Sequence, residues 1–537
     1  MTDPPATSRD DTLSRDNTLA EIERQNKESK KRRAQSLPDT DLQAMLHSEA
    51  DLLAQDLQSD EKVLLLLAKG DAKAAEAELH RRGLYHGGDN LNDYPTTDAG
   101  QGEVIAYLYA DQLRYDHTQK HWLVWDEHRW KKDANGEPQR LAVMAARKRL
   151  AAAVLHNEEA TKKRLVRWAL DGEGDYRIRC TLNLASIQHP VAVTTDQFDR
   201  DPWMLACNNG VIDLHTGQLR PGQRADMISM STGVDYEPGA RCDRWLQFLD
   251  EVFKSDADLI GFVQRAAGYS LTGVTTEQCL FICYGKGENG KSVFWNTLHA
   301  FTGEYAKNTG FSTFLDNRAI GREIPDDVAD LCGARLVTAS EINEGKRFNE
   351  GRIKSLTGGD RITARKLYKD FFTFIPTFKL WMAVNHRPII KGTDQAIWRR
   401  IRLIPFTATF PSDIADPYLI DKLKLEASGI LSWAVQGCLD WQHYGLGEAK
   451  AIKAATGTYR VESDILASFL ADRTIQDPNT SVRAGEIYGA YKSWCEANGE
   501  YSITGSAFGR QLGERGLDKY HDRNGWYYTG IGLTSVL

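Results

Sequence analysis

One stretch constrains this chain more than any other: Gly285-Lys-Gly-Glu-Asn-Gly290-Lys291-Ser292. An apolar run, Cys279-Leu-Phe-Ile-Cys-Tyr284, leads into it, and a helix-like pattern, Val293-Phe-Trp-Asn-Thr-Leu-His-Ala-Phe301, leaves it. Strand, glycine loop and helix in that order are the context a P-loop requires. Gly285, Gly287 and Gly290 let the backbone curl so that successive N–H groups, including that of Asn289, face an anion. A helix beginning near Lys291 adds its positive dipole end and unpaired amides. Lys291 is then placed to reach the β- and γ-phosphates of a nucleoside triphosphate, and Ser292 to hold Mg²⁺. The alternative, a chance glycine turn before a core helix, does not account for the match on both sides of the loop.

Three further segments bear on catalysis. Arg335-Leu-Val-Thr-Ala-Ser340 reads as a strand ending in Glu341. An acid at the tip of a strand beside the P-loop holds Mg²⁺ through water and polarises the attacking water. Glu344 is a second candidate for that role. Phe378-Lys-Leu-Trp-Met-Ala-Val384 is another strand-like run ending at Asn385. Asn385 either orients the water or contacts the γ-phosphate, or it forms a turn before His386-Arg-Pro388. Asp394-Gln-Ala-Ile-Trp398-Arg399-Arg400 precedes the strand Ile401-Arg-Leu-Ile-Pro-Phe406. Arg399 or Arg400 is expected to serve as an arginine finger, stabilising charge on the transferring phosphoryl from a neighbouring subunit. The competing reading is a structural ion pair.

Between these strands, Lys354-Ser-Leu-Thr-Gly-Gly-Asp360-Arg-Ile-Thr-Ala-Arg365-Lys366-Leu-Tyr368-Lys369-Asp370 alternates polar and apolar residues around a turn and then crowds cations beside a tyrosine. A basic hairpin with an aromatic suits contact with a DNA backbone and little sequence reading. Arg365, Lys366 and Lys369 are the DNA-contact candidates; a solvated strand face is the alternative.

The charge balance narrows the partners. With a net charge of -7 over 537 residues the chain is no general nucleic-acid binder, so any such site is a local basic surface. No apolar run approaches a membrane span, and Met1 to Asn17 lack a signal-peptide core. A cytoplasmic protein with no membrane partner is expected. The 8 cysteines are scattered, and Cys279 and Cys283 have no second pair to make a zinc site.

The organisation expected along the chain is a charged disordered tail at 1–40 and a helical segment with linker at 41–95. An accessory domain at 96–275 and an α/β ATPase core at 276–450 follow, then a small domain at 462–537 after a polar stretch at 449–464. Within the tail, Lys30-Lys31-Arg32-Arg33 is a solvated run, a DNA contact or a targeting signal. His121 to Trp125 and His128 to Trp130 read as two short strands, Ala142 to Leu170 as one helical stretch, Trp245 to Tyr269 as another, and Leu419 to Tyr444 as a third. In the tail domain a helix near Glu486–Ala497 and a second one through Gly505–Gly516 precede a strand pair, with Asn524-Gly525 as the hairpin turn signal. Helix, helix and hairpin describe a winged-helix-like domain. Arg510, Arg515 and Lys519 then face DNA phosphates, and Arg523 sits in the wing.

Taken together, G-K-G-E-N-G-K-S at 285–292, S-E at 340–341, L-T-G-G-D at 356–360, the hairpin through Lys369, V-N-H-R-P at 384–388 and D-x-A-x-W-R-R at 394–400 resemble the superfamily III helicases. The branch is the phage and plasmid primase–helicase family related to poxvirus-type and satellite-phage-type enzymes. Upstream, N-N-G-V-I-D-L-H-T-G at 208–217 and A-A-G-Y-S-L-T-G at 266–273 look like the domain that precedes this ATPase in the family. The resemblance covers residues 96–450 and implies an AAA+-type P-loop core with a mostly helical N-terminal region. It also implies a homo-hexameric ring with ATP and Mg²⁺ between subunits. Lys291, Ser292 and Glu341 would act in cis, and Arg399 or Arg400 in trans. The hairpin would follow single-stranded DNA through a central channel, 3′ to 5′, at a fork or origin. Many members carry two adjacent acids where this chain has Ser340-Glu341. Relatives often begin with a primase–polymerase domain; residues 1–95 are too few for one, so helicase without primase activity is expected, with a separate primase or initiator as a further partner. The competing functions are an origin-binding initiator that melts DNA without processive unwinding, and a P-loop ring that moves a partner protein.

Overall fold

A computed structural model of the chain describes residues 91–316, 326–340, 346–365, 371–390, 395–411, 413, 415–498, 500 and 502–534. The chain divides into two compact units, one of Met1–Leu108 with Gln139–Gln188, the other of Tyr109–Pro138 with His189–Leu537. The expected accessory segment 96–275 is therefore shared between both. The tail at 1–40 and most of the segment 41–95 lie outside the described residues, and so do Glu341, Glu344, Lys366, Lys369 and Asp394.

The first unit is helical: α1 (Asp98–Tyr109), α2 (Glu137–Val154), α3 (Glu159–Asp171) and α4 (Asp175–Ala185). The single helical stretch expected over 142–170 is two helices. Between them the His156 ring accepts the Glu158 N–H at 3.2 Å, outside the helical ladder. Buried Arg149 donates to the Tyr94 carbonyl at 2.6 Å and to Gln101 Oε1 at 3.2 Å, so this cation is satisfied by oxygens of its own unit.

The second unit opens with β1 (Leu113–Asp116), β2 (His121–Asp126), β3 (Arg129–Lys132) and β4 (Ala192–Val193), in the sheet order β3-β2-β1-β4. A meander of β5 (Met204–Cys207), β6 (Gly210–Asp213) and β7 (Gln218–Arg220) follows, placing the expected hairpin at 208–217. The stretch expected as one helix at 245–269 is α5 (Asp243–Phe253) and α6 (Ala257–Leu271). Lys254 and Ser255, with φ of 53° and 56°, turn the chain between them.

The central sheet comprises β8 (Leu280–Tyr284), β9 (Ala306–Gly310), β10 (Leu336–Ser340), β13 (Lys379–Val384) and β14 (Ile401–Pro405). They run in the order β14-β8-β13-β10-β9, every pairing parallel. A parallel sheet covered on both faces needs near-continuous apolar strands, and β8 supplies one. Alternate residues serve opposite faces: Phe281 and Cys283 join the cluster built on Trp245, Phe262 and Phe294, while Leu280 and Ile282 join that of Val337, Met382 and Leu403. α7 (Lys291–Thr302) crosses from β8, and α8 (Glu350–Gly358) precedes the two-stranded pair β11 (Ile362–Arg365) and β12 (Phe371–Phe374).

Behind the sheet, α9 (Leu419–Leu425) and α10 (Ala427–Tyr444) divide the helical stretch expected at 419–444. α6 and α10 touch backbone to backbone: a Cβ on Gly268 would lie 2.1 Å from the Cys438 nitrogen, and one on Gly437 would lie 2.2 Å from the Gln264 carbonyl oxygen. The polar stretch 449–464 is not a linker. It is α11 (Lys450–Glu462), which buries Ile452 and Tyr459 in the two main cores.

The C-terminal part runs α12 (Ile465–Arg473), β15 (Thr474–Arg483), α13 (Ala484–Ala497), α14 (Gly505–Glu514), β16 (Lys519–Asp522) and β17 (Gly525–Leu533). Its antiparallel sheet has the order β15-β17-β16 and its own core around Phe469, Tyr491 and Phe508. The hairpin loop is Arg523-Asn524, because Asp522 pairs with Gly525, one residue earlier than the Asn-Gly signal implies.

Candidate nucleotide site

The loop from Gly285 to Gly290 leaves the C-terminal end of β8 and enters α7. Gly287 at φ 104°, Glu288 at 48° and Gly290 at 81° make the left-handed curl that turns backbone amides toward one centre. Gly285 is required for another reason: its Cβ would lie 2.5 Å from the Phe406 carbonyl oxygen, at the end of the neighbouring strand. α7 begins at Gly290 with no side-chain cap on its first amides. Ser292 is exposed in that first turn.

Lys291 is buried and bends back over its own loop, donating to the Gly285 carbonyl at 2.7 Å and to Asn289 Oδ1 at 3.0 Å. Asn289 in turn donates to the Phe406 carbonyl at 3.4 Å. Burial pushes the Lys291 ammonium below the usual lysine range. The Cys283 thiol beneath it is driven by burial up to about 12, so it stays a neutral thiol. A cation held by two oxygens beside uncapped helix amides and an open glycine curl is a fitting receptor for a phosphate group. Ser292 is the described residue suited to a divalent cation there; among the described residues no cluster of His, Cys, Asp and Glu suited to a metal occurs.

β10, which leads to Glu341, is not the immediate neighbour of β8. β13 lies between them. The expectation of an acid on the adjacent strand is corrected by one place, and the adjacent tip belongs to Asn385, which is exposed. Just past it, Arg387 ion-pairs with Glu462 and stacks 5.0 Å over Tyr284, the last residue of β8, and 5.5 Å over Tyr459. The Tyr459 hydroxyl donates to the Pro388 carbonyl. Sequence reasoning quoted Arg387 without giving it work; its place two residues after a strand tip, among aromatics distant in sequence, was the missing information.

The paired arginines differ. Arg400 is buried, donating to Thr357 Oγ1 at 3.2 Å and to the Ala396 carbonyl at 2.6 Å, while its own carbonyl receives the Leu280 N–H at 2.8 Å. It is an anchor at the start of β8, the opposite end of the strands from Gly285. Arg399 is exposed at that same end.

Arg365 lies exposed on β11, stacked 5.0 Å over Phe371, which is itself 68% exposed. In the C-terminal part, Arg510 pairs loosely with Glu514 at 3.7 Å. Arg515 Nη2 donates to both carboxylate oxygens of Asp464, at 2.6 and 2.7 Å, and so is engaged inside the fold. Lys519 sits 4.7 Å over Trp526, and Arg523 is exposed at the hairpin turn.

Residues 102–254 match a family described as D5 N terminal like, and residues 283–400 match a family of unknown function (DUF5906). A protein of Acanthamoeba polyphaga mimivirus named as a candidate helicase is 27% identical over 322 residues, 56% of this chain and 34% of the relative. A protein of African swine fever virus named as a candidate primase is 24% identical over 327 residues, again 56% of this chain and 34% of the relative. The chain thus spans about a third of the length of these curated relatives. The apo structure of the NrS-1 C-terminal region aligns over 80% of this chain and 99% of that chain, at 10% identity and a TM-score of 0.44. Among the described residues no helix is long and apolar enough to cross a membrane.

Proposed function

Because the chain is a member of the primase–helicase family represented by these proteins of large DNA viruses, we propose that it is an ATP-dependent DNA helicase of the superfamily III, AAA+ type. It would unwind DNA at the origin or fork of a phage, prophage or other mobile element. The observation that carries the reading is the Gly285–Ser292 loop, with its buried Lys291, at the same end of a parallel sheet as Asn385.

In this reading the uncapped amides of α7 receive the ATP phosphates, and Lys291 exchanges the Gly285 carbonyl and Asn289 for the β- and γ-oxygens. A phosphate anion replaces two neutral acceptors, so the exchange favours the bound state. Ser292 and Glu341 would hold Mg²⁺, which when bound neutralises phosphate charge. Asn385 orients the attacking water. Arg399 is free of the anchoring role of Arg400 and lies at the opposite end of the strands from its own P-loop, so it serves the site of a neighbouring subunit. That geometry supports a ring, of which a homo-hexamer is the proposed form, moving 3′ to 5′. The β11–β12 pair carries Arg365 beside Phe371 and leads to Lys366 and Lys369. A cation and an exposed ring together support contact with a single strand.

The test is strand displacement on a forked duplex with ATP, with Lys291→Ala alongside. Unwinding by the unmodified protein alone supports the reading. DNA-stimulated hydrolysis without unwinding sinks processive helicase action and favours the second reading, an origin-binding initiator. One observation favours that alternative specifically. The helix, strand, helix, helix, hairpin order of 465–533 supports a winged-helix reading, in which Arg510, Lys519 and Arg523 would meet duplex phosphates. Sequence-selective duplex binding lost on deleting 462–537 would decide for it.

A further inference from the structure

The core of the C-terminal module closes without the tip of its hairpin. Tyr528 and Ile531 of β17 belong to that core, but Tyr520, Trp526 and Tyr527 do not. Tyr520 is 41% exposed and Trp526 49% exposed. Large rings clustered in one short hairpin outside a finished core form a candidate contact surface.

The rings are ordered. Tyr520 on edge strand β16 stands opposite Tyr527, and the two are stacked at 5.5 Å with planes 19° apart. On the other face of the ribbon, His521 stands opposite Trp526 at 4.9 Å, edge to face. Arg483 of β15 pairs with Tyr527, which puts it on the Tyr520–Tyr527 face. Its guanidinium passes within 3.7 Å of where a Gly525 Cβ would lie. Arg523 occupies the turn, and Lys519 lies over Trp526. Three cations thus border the rings. Asp522, the one carboxylate in 519–528, spends an oxygen on the Asn524 N–H at 2.8 Å. In a chain of net charge -7, this tip is locally positive.

We infer that the β16–β17 hairpin is a two-sided stacking platform for unpaired bases of single-stranded DNA: Tyr520 on one face of the ribbon and Trp526 on the other each take a base face, and Arg483 and Arg523 take the flanking phosphates. A duplex keeps its base faces covered and offers nothing to a flat exposed ring, whereas every unpaired base has a free π-face. The inference rests on the proposed action on DNA but not on ATP hydrolysis, and it assigns the tip a different task from duplex phosphate contact by Arg510.

The test uses the full chain without nucleotide. Binding of oligothymidylate is compared with binding of an abasic strand of equal length, and 5-iodouracil oligonucleotides are photocrosslinked and the attachment mapped. The unmodified protein is expected to favour the base-bearing strand, with crosslinks within 519–528. Tyr520→Ala and Trp526→Ala should each weaken that strand by about ten-fold, with little effect on the abasic one. Tyr520→Phe should retain binding, and DNA-independent ATP turnover should be unchanged in Tyr520→Ala. Crosslinks confined elsewhere, or unaltered binding by both alanine variants, overturn the platform while leaving DNA action intact. Absence of any DNA binding overturns both.

Discussion

Gly287→Ala isolates what the curl of the nucleotide loop is worth. Gly287 sits at φ 104°, and nothing lies within 4 Å of where its Cβ would be. The substitution therefore adds no clash; its whole cost is a backbone conformation that an L-residue resists by about 1–3 kcal/mol. In the nucleotide-free protein the altered loop relaxes, so folding stability barely changes. ATP must then restore the curl against that strain, and affinity should fall by about 5- to 150-fold. Gly285→Ala is the counterpart. Its methyl would lie 2.0 Å from Asn289 Nδ2 and 2.5 Å from the Phe406 carbonyl oxygen, so it displaces the Asn289 bridge as well. It should lower both affinity and unfolding temperature. Calorimetric titration with a non-hydrolysable ATP analogue, with a thermal melt of each variant, separates the two. An affinity for Gly287→Ala within two-fold of the unmodified protein, at unchanged stability, would refute the claim that this left-handed backbone shapes the phosphate site.

Gly268→Ala should destabilise the second unit by at least about 2 kcal/mol, since its Cβ meets the backbone of α10, whereas Gly457→Ala, with open space on α11, should stabilise by up to about 1 kcal/mol; denaturant melts of the two variants check the opposite signs. Arg399→Ala should keep its melting temperature and lose about three orders of magnitude or more in DNA-stimulated turnover, recoverable in mixtures with Lys291→Ala subunits, while Arg400→Ala should lose stability first. Burial holds the His299 ring, 2.6 Å from Thr338 Oγ1, below the ordinary histidine pKa. The unfolded chain then binds the proton more readily, so stability is fully present above about pH 6.5 and is lost as pH falls toward the folded value. His299→Gln should flatten that acid limb in melts taken across the range.

The four apolar strands β8, β10, β13 and β14 were legible because buried parallel strands have little choice but continuous apolar runs. The loop at 285–292 was legible because its glycines are demanded by geometry, Gly287 and Gly290 by left-handed backbone and Gly285 by a close approach. Strand order was not: no residue of β13 records that it separates β8 from β10, since crossovers decide neighbours. α11 stayed hidden because only Ile452 and Tyr459 anchor it, too few apolar positions to show a helical face. The break between α5 and α6 escaped because Lys254 and Ser255 take left-handed conformations without a glycine to announce them. Arg515 read as a free cation for the same reason that Arg400 did: the partners, Asp464 and Thr357, are remote in sequence.

Tyr459 and Glu462 on α11 grip the turn at 387–388, next to the Asn385 strand tip. α11 gives way after Ser463 to Asp464, which caps α12 and clasps Arg515. The chain between the central sheet and the C-terminal module is thus a two-residue joint, clamped on one side by Arg387 and on the other by Arg515. A rod of 13 residues, about 20 Å long at helical rise, runs back from that joint along the sheet. Loss of either clamp, at Arg387 or at Arg515, would leave that joint held from one side alone.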